Sequence, residues 1–191
     1  PARGRGRLDA TIPGGGNGTA NAPRAPVPFP SFLLSPAIAM RILTLNAGST
    51  SVKCGLLVVA DATAPPRAEA SAEASGLGSG RASASLQTAD GTTIALDLDG
   101  NSPATVLPGL LRQLRQHLPT PDALAHRIVH GGDRRAPARV DPDLLAALQA
   151  LEPLAPLHQP AGIAGIEAGR TVFPDLPQTA CFDTAFFADL P

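Results

Sequence analysis

Short apolar runs separated by turn residues occupy the chain from residue 41 to residue 98, and a helical period takes over beyond them. Arg41–Asn46 is rich in apolar, branched residues and predicts a strand. Ala47-Gly48-Ser49-Thr50 is a turn, and Ser51–Val59 predicts a second strand that closes a hairpin. Asp61–Pro66 breaks the pattern. Ala68–Ser75 is alanine-rich and has helical propensity, but its interleaved serines, followed by Ser83–Thr88 and Thr92–Leu98, fit a meander of strands. Asp90-Gly91 supplies a hairpin turn between the last two. Pro103–His117 then carries apolar residues at Val106, Leu107, Leu110, Leu111 and Leu114, with Leu118 just beyond. That stripe predicts a helix capped by Ser102 with Pro103 in its first turn. Ala123–Val129 predicts a buried strand leading into His130-Gly131-Gly132. Asp141–Leu151 reads as an amphipathic helix capped by Asp141, Ala161–Phe173 as another helix, and Thr179–Phe182 as a strand ending at Asp183. Strands first, then helices alternating with single strands, imply an α/β fold with a mixed sheet covered by helices. Chemistry in such folds belongs at the strand ends.

Composition narrows the function classes. The chain has 191 residues, 43% hydrophobic, with six Phe and no Trp or Tyr, so Leu, Ile, Val, Ala and Phe must build the core. A formal net charge of −1 excludes the basic footprint of a nucleic-acid binder. No apolar run approaches the roughly 18 residues of a membrane span. Cys54 and Cys181 lie far apart without metal-ligand spacing, and are expected as two buried free thiols in a reducing cytosol. Residues 1–39 stand apart: they open on Pro1, are rich in Gly, Pro, Ala and Arg, and precede Met40, the only methionine. They are expected to be disordered. A signal peptide is one reading, from the early arginines, Phe32-Leu33-Leu34 and Ala37-Ile38-Ala39, but Pro28, Pro30 and Pro36 interrupt its apolar part. Upstream sequence ahead of a start at Met40 is the reading we favour, so the fold is assigned to residues 40–191.

Four segments carry candidate chemistry. In Asn46-Ala47-Gly48-Ser49-Thr50-Ser51-Val52-Lys53 a strand delivers a turn dense in small hydroxyl residues. Gly48 lets backbone N–H groups approach an anion, Ser49, Thr50 and Ser51 add hydroxyls, and Lys53 shares a strand face with Ser51. Asn46 at a strand end can orient a metal-bound water. A plain Ser/Gly turn is the competing reading. In His126-Arg127-Ile128-Val129-His130-Gly131-Gly132, an arginine on a mostly apolar strand points either to an anionic ligand or to a structural carboxylate. His158, in Leu154-Ala155-Pro156-Leu157-His158-Gln159-Pro160, sits at a helix entrance and is open to a structural or a functional role. Asp183, in Cys181-Phe182-Asp183-Thr184-Ala185-Phe186, ends an apolar strand. A carboxylate there can serve Mg²⁺ or a phosphoryl acceptor, or simply cap the next element.

In that order and spacing the four segments resemble the acetate/propionate/butyrate kinase family over residues 40–191. Asn46–Lys53 is similar to its N-x-G-S-[ST]-S-x-K motif, His126–Gly132 to H-R-x-V-H-G-G, Leu154–Pro160 to L-A-P-L-H-x-P, and Phe182–Phe186 to F-D-T-A-F. The resemblance implies the N-terminal domain of an actin-like ATPase (ribonuclease H-like) fold. It also implies transfer of the ATP γ-phosphoryl group to a short carboxylate with Mg²⁺, giving an acyl phosphate such as acetyl phosphate and ADP. It further implies a cytoplasmic homodimer that needs neither nucleic acid nor membrane. By resemblance Asn46 helps place Mg²⁺, while Ser49, Ser51 and Lys53 face phosphate. Arg127 holds the carboxylate and the transferring group, His158 hydrogen-bonds that group, Asp183 acts near Mg²⁺, and Val129 and Leu157 line the methyl pocket. Phe187 stands where the family usually has His, and Ala125 where it usually has Gly. A further phosphate loop, another arginine, the adenosine loop and most of the dimer surface belong to a second half that residues 1–191 lack, so this chain alone is expected to be inactive. A sibling acid specificity and a non-catalytic anion-binding module remain as alternatives.

Overall fold

The computed structural model describes residues 39–187, so both readings of the leader lie outside the described residues. Within that range eight strands form one mixed sheet. In chain order they are β1 (Met40–Ala47), β2 (Val52–Val59), β3 (Arg67–Ser75), β4 (Ser83–Thr88), β5 (Thr93–Leu96), β6 (Ala123–Ile128), β7 (Ala138–Arg139) and β8 (Gln178–Phe182). Their order across the sheet is β5-β4-β3-β2-β1-β6-β8-β7. The first five make an antiparallel meander, β6 and β8 join it in parallel, and β7 closes the edge antiparallel to β8. The helices are α1 (Pro103–His117), α2 (Pro142–Ala150), α3 (Gln159–Val172) and a single turn, α4 (Asp183–Phe186).

The expected mixed sheet flanked by helices is therefore present, and the alanine-rich segment at 67–75 is a strand despite its helical propensity. Its neighbours decide this: Ala70, Ala72 and Ala74 alternate into the core against β2 and β4. Ser102 and Asp141 cap α1 and α2 as expected. Several bounds move. The β6 strand stops at Ile128 rather than Val129, where the chain bends into the glycine pair. Helix α3 begins at Gln159, two residues before the expected Ala161, because Pro160 suits a first turn. The two-residue β7 carries no sequence signal. Cys54 is buried as expected and desolvation pushes its thiol up to about 12, but Cys181 is exposed, on the opposite face of the sheet.

One face of the sheet is apolar and covered. Leu43 and Leu45, Val52 and Leu56, Leu124 and Ile128, and Ala180 and Phe182 all point to it, under α1 and α3. The packing of α3 across β6 is unusually close because glycines line its inner side. A methyl group on Gly169 would come within 2.9 Å of both Leu124 and the Gln178 amide, whereas one on Gly165 would lie 3.7 Å from the His126 ring. His126 is 1% exposed, and its Nε2–H donates to Gln178 Oε1 at 2.7 Å. Nδ1 is buried without a partner, so the ring is held neutral and burial lowers its pKa to about 4.

Two outcomes are expected. Gly169→Ala should destabilise the fold by about 1–3 kcal/mol, since the Gln178 amide is pinned by His126 and cannot yield. Gly165→Ala should instead be neutral or gain up to about 1 kcal/mol from helix propensity; urea denaturation of both variants checks the contrast. Because the folded pKa of His126 lies below its unfolded value near 6.5, its neutral form stabilises the protein fully above that pH. That contribution is lost as pH falls toward 4, on the order of 3 kcal/mol in all. Denaturation midpoints measured from pH 7 to 4 should fall less steeply in His126→Gln than in the parent chain.

Candidate active site

The open face of the sheet carries the polar half of each strand's alternation. Asn46 on β1 stands directly across from Lys53 on β2, so the two side chains share this face. Lys53 is exposed and reaches Glu73 of β3 at 3.7 Å. Between the strands, the turn folds on itself: Gly48 N–H donates to Ser51 O at 2.8 Å, and Leu77 N–H donates to Thr50 O at 3.1 Å. Gly48 N–H is thus used inside the turn. The nearest atom a methyl group on Gly48 would meet is Ser51 O at 3.6 Å, so no contact within the chain demands glycine there. Ser49 is exposed and Ser51 half-buried at the same turn.

Arg127 pairs with a carboxylate that is itself one of the candidate residues. Nε donates to Asp183 Oδ1 at 3.0 Å and Nη2 to Asp183 Oδ2 at 2.7 Å, a two-pronged fork, while Nη1 donates to Asn46 Oδ1 at 3.2 Å. Three segments distant in sequence thereby meet at the adjacent ends of β1, β6 and β8. The fork raises the Arg127 pKa further above its ordinary value. The side chains are 54% and 28% exposed, and such pairs contribute at most about 1 kcal/mol to stability. Asp183 begins α4, with Phe182 in the capping position, so it does not serve as the helix cap.

The loop after β6 is tied down by residues that were not among the candidate site residues. Gln159, fully buried, accepts from His130 N–H at 3.2 Å and donates to His130 O at 2.9 Å. Thr184 accepts from Gly131 N–H at 3.1 Å, and Arg134 donates to Gly131 O at 3.0 Å. A side chain at Gly131 would collide with the Phe182 ring, and Gly132 has a φ of 66°, so both glycines are required where they stand. Gln159 occupies the variable position of its motif; its one signal was an amide inside an otherwise apolar helix start.

A cavity of about 390 Å³ opens beside the fork, lined by Arg127, Asp183, Arg135 and Cys181 and, on its apolar side, by Pro137, Phe182, Ala185 and Phe186. Val129 is half-buried just past β6, and Leu157 is 72% exposed before α3; neither is among these lining residues. His158 is exposed at the N-terminus of α3, makes no side-chain capping bond, and has no hydrogen bond to the Arg127–Asp183 pair. The structure therefore gathers Asn46, Lys53, Arg127 and Asp183 on one face and leaves His158, Val129 and Leu157 outside the fork.

Residues 41–191 match the model of the Acetokinase family. An acetate kinase of Deinococcus radiodurans is 41% identical over 155 residues, which cover 80% of this chain and 38% of that protein. The solved acetate kinase of Porphyromonas gingivalis superposes with a TM-score of 0.67 at 30% identity, covering 80% of this chain and 39% of that one. A propionate kinase from Francisella tularensis superposes at 0.66 with 33% identity and the same coverage. The chain spans less than two-fifths of the length of these relatives. The family-model match over residues 41–191, with relatives at 30% identity or more, places this chain in the Acetokinase family, with the actin-like ATPase fold of its structural neighbours.

Proposed function

We propose that this chain supplies the acyl- and phosphate-binding half of an acetate kinase, which transfers the γ-phosphoryl group of ATP to acetate and releases acetyl phosphate and ADP, reversibly. The observation that carries the reading is the Arg127 fork, held at an open strand end with Asn46 and Asp183 around it. An ionised carboxylate is already a nucleophile, so the reaction needs positioning and cationic donors rather than a general base. Arg127 has the planar fork to hold acetate or the transferring group. Ser49, Ser51 and Lys53 present hydroxyls and an ammonium to the phosphates. His158, exposed at the entrance of α3, donates to the group in transfer. Val129 and the exposed Leu157 form apolar surface for the acyl methyl.

Asn46 and Asp183 bring an amide oxygen and a carboxylate to the same strand ends, around Arg127. Oxygen donors of this kind fit Mg²⁺, which keeps several waters and takes one or two carboxylates plus substrate phosphates. Asp183 and Asn46 would hold it, and when bound it supplies neutralisation of phosphate charge. Among the described residues no helix is long and apolar enough to cross a membrane. A homodimer and a cytoplasmic location complete the proposal by analogy with the family. Propionate as acceptor is a second reading, favoured by the 33% identity to a propionate kinase.

In a polypeptide that spans the relatives' full length and carries this chain, hydroxamate trapping with ATP and Mg²⁺ should yield acyl phosphate from acetate most readily among acetate, propionate and butyrate. Absence of product with all three acids would reject the kinase reading. Purified residues 1–191 alone should give none. In the full-length protein Arg127→Ala should lower turnover by at least about 100-fold, the scale of one lost transition-state donor. An unchanged turnover number would remove Arg127 from the reaction.

A further inference from the structure

Asp183 starts a helix that has little of its own to hold it. Helix α4 is a single turn that buries none of its residues, and its last one, Phe186, is 83% exposed. The fork to Arg127 fixes the Asp183 carboxylate. The proposed reaction draws on both partners, however: acetate would take donors from Arg127, and Mg²⁺ an oxygen from Asp183. Something else must keep Asp183 in place while the fork opens.

The loop after β6 meets that need. Five successive backbone groups in it are each held by a side chain. His130 N–H donates to Gln159 Oε1, His130 O accepts from Gln159 Nε2, Gly131 N–H donates to Thr184 Oγ1, Gly131 O accepts from Arg134 Nη1, and Gly132 N–H donates to His130 Nδ1. Gln159 is fully buried, and its Nε2 also donates to Leu148 O at 3.3 Å, so the loop is anchored to both α2 and α3. Gly131 in turn meets the chain on both sides of Asp183. The Phe182 ring packs so closely against it that a Cβ there would collide, and Thr184 accepts its N–H at 3.1 Å. Asp183 is thus bracketed by two neighbours that contact one anchored residue.

We propose that Thr184 is a positioning residue: its hydroxyl, accepting from Gly131 N–H, holds Asp183 in line with Arg127 when their fork opens to admit a ligand. The inference deepens the kinase reading and rests on it for the step that Asp183 serves. Because the hydroxyl is engaged with the loop, its effect on the reaction passes through Asp183. Thr184→Val keeps the shape of the side chain and removes the acceptor, whereas Thr184→Ser keeps the acceptor.

Two measurements test the role. In the 191-residue chain the reporter is Arg127 Nε–H, which donates to Asp183 Oδ1 and is read by nitrogen-edited nuclear magnetic resonance. Its hydrogen exchange should quicken by about 5-fold in Thr184→Val, the scale of one lost hydrogen bond. In Thr184→Ser it should stay near the parent rate. Loosening of the loop alone would leave this signal unchanged. In the full-length polypeptide Thr184→Val should lower kcat by about 10–100-fold, the usual effect of removing a group that orients a catalytic residue. KM for acetate and for ATP should stay where it was, because the loss falls on the transition state, and Thr184→Ser should recover most of the rate. Unchanged Arg127 Nε–H exchange in Thr184→Val, an unchanged kcat, a loss carried by KM instead, or no recovery in Thr184→Ser overturns the proposal. Faster exchange in Thr184→Val from a protein that makes no acyl phosphate from any of the three acids would sink the kinase reading and leave Thr184 as the tether of Asp183.

Discussion

Burial of only one face of the sheet is the constraint on which the site depends. Helices α1 and α3 cover the face that carries Leu43, Leu45, Leu124 and Ile128, and every strand between β5 and β8 must alternate to satisfy that cover. The alternation leaves Asn46, Lys53, Arg127 and Cys181 on the other side, where charge costs little. An arginine amid apolar residues is therefore not a violation of the core. It is the solvent half of a strand whose other half is fully packed.

The same alternation explains why helix α3 is rich in glycine. It lies directly over β6, and a larger inner side would lift it away from Leu124 and Gln178. Close approach brings Gln159, at the first turn of α3, within reach of His130, so the helix grips the loop that Arg127 leads into. Thr184 and Arg134 hold the next residue of that loop from the other side. Packing energy stored in an apolar interface is thus converted into a fixed backbone at the site. The fork itself, half exposed, contributes little to holding the fold.

Much of this was legible in the sequence, and the misses have physical causes. Strand and helix identities came through because period two and the apolar stripe of α1 are local signals, and capping by Ser102 and Asp141 marked the starts. The bounds of β6 and α3 depended on where a glycine pair bends the chain and on what Pro160 permits. The exposure of Cys181 could not be read, because a cysteine in an apolar strand gives no hint of which face it takes. Asn46, Arg127 and Asp183 were each visible as candidates, yet their contact is a product of the order β1-β6-β8, which no local pattern encodes. Gln159 and Thr184 were missed for a related reason: each acts from a helix start on the distant loop after β6, a contact that no local pattern encodes.

Neighbouring residues on β6 make the dependence of site on fold sharpest. His126 and Arg127 differ by one position and face opposite sides of the sheet, one neutral and 1% exposed, the other charged and forked to Asp183. A slip of one residue against β1 or β8 would exchange them, because side chains alternate with period two. Arg127 would then be buried under α3, where an ion without its partner costs several kcal/mol, and His126 would lose Gln178. The pairs Leu45–His126 and His126–Ala180 in the observed register avoid both penalties at once. Placement of Arg127 and specification of the strand register are therefore one problem, solved by the same two adjacent side chains.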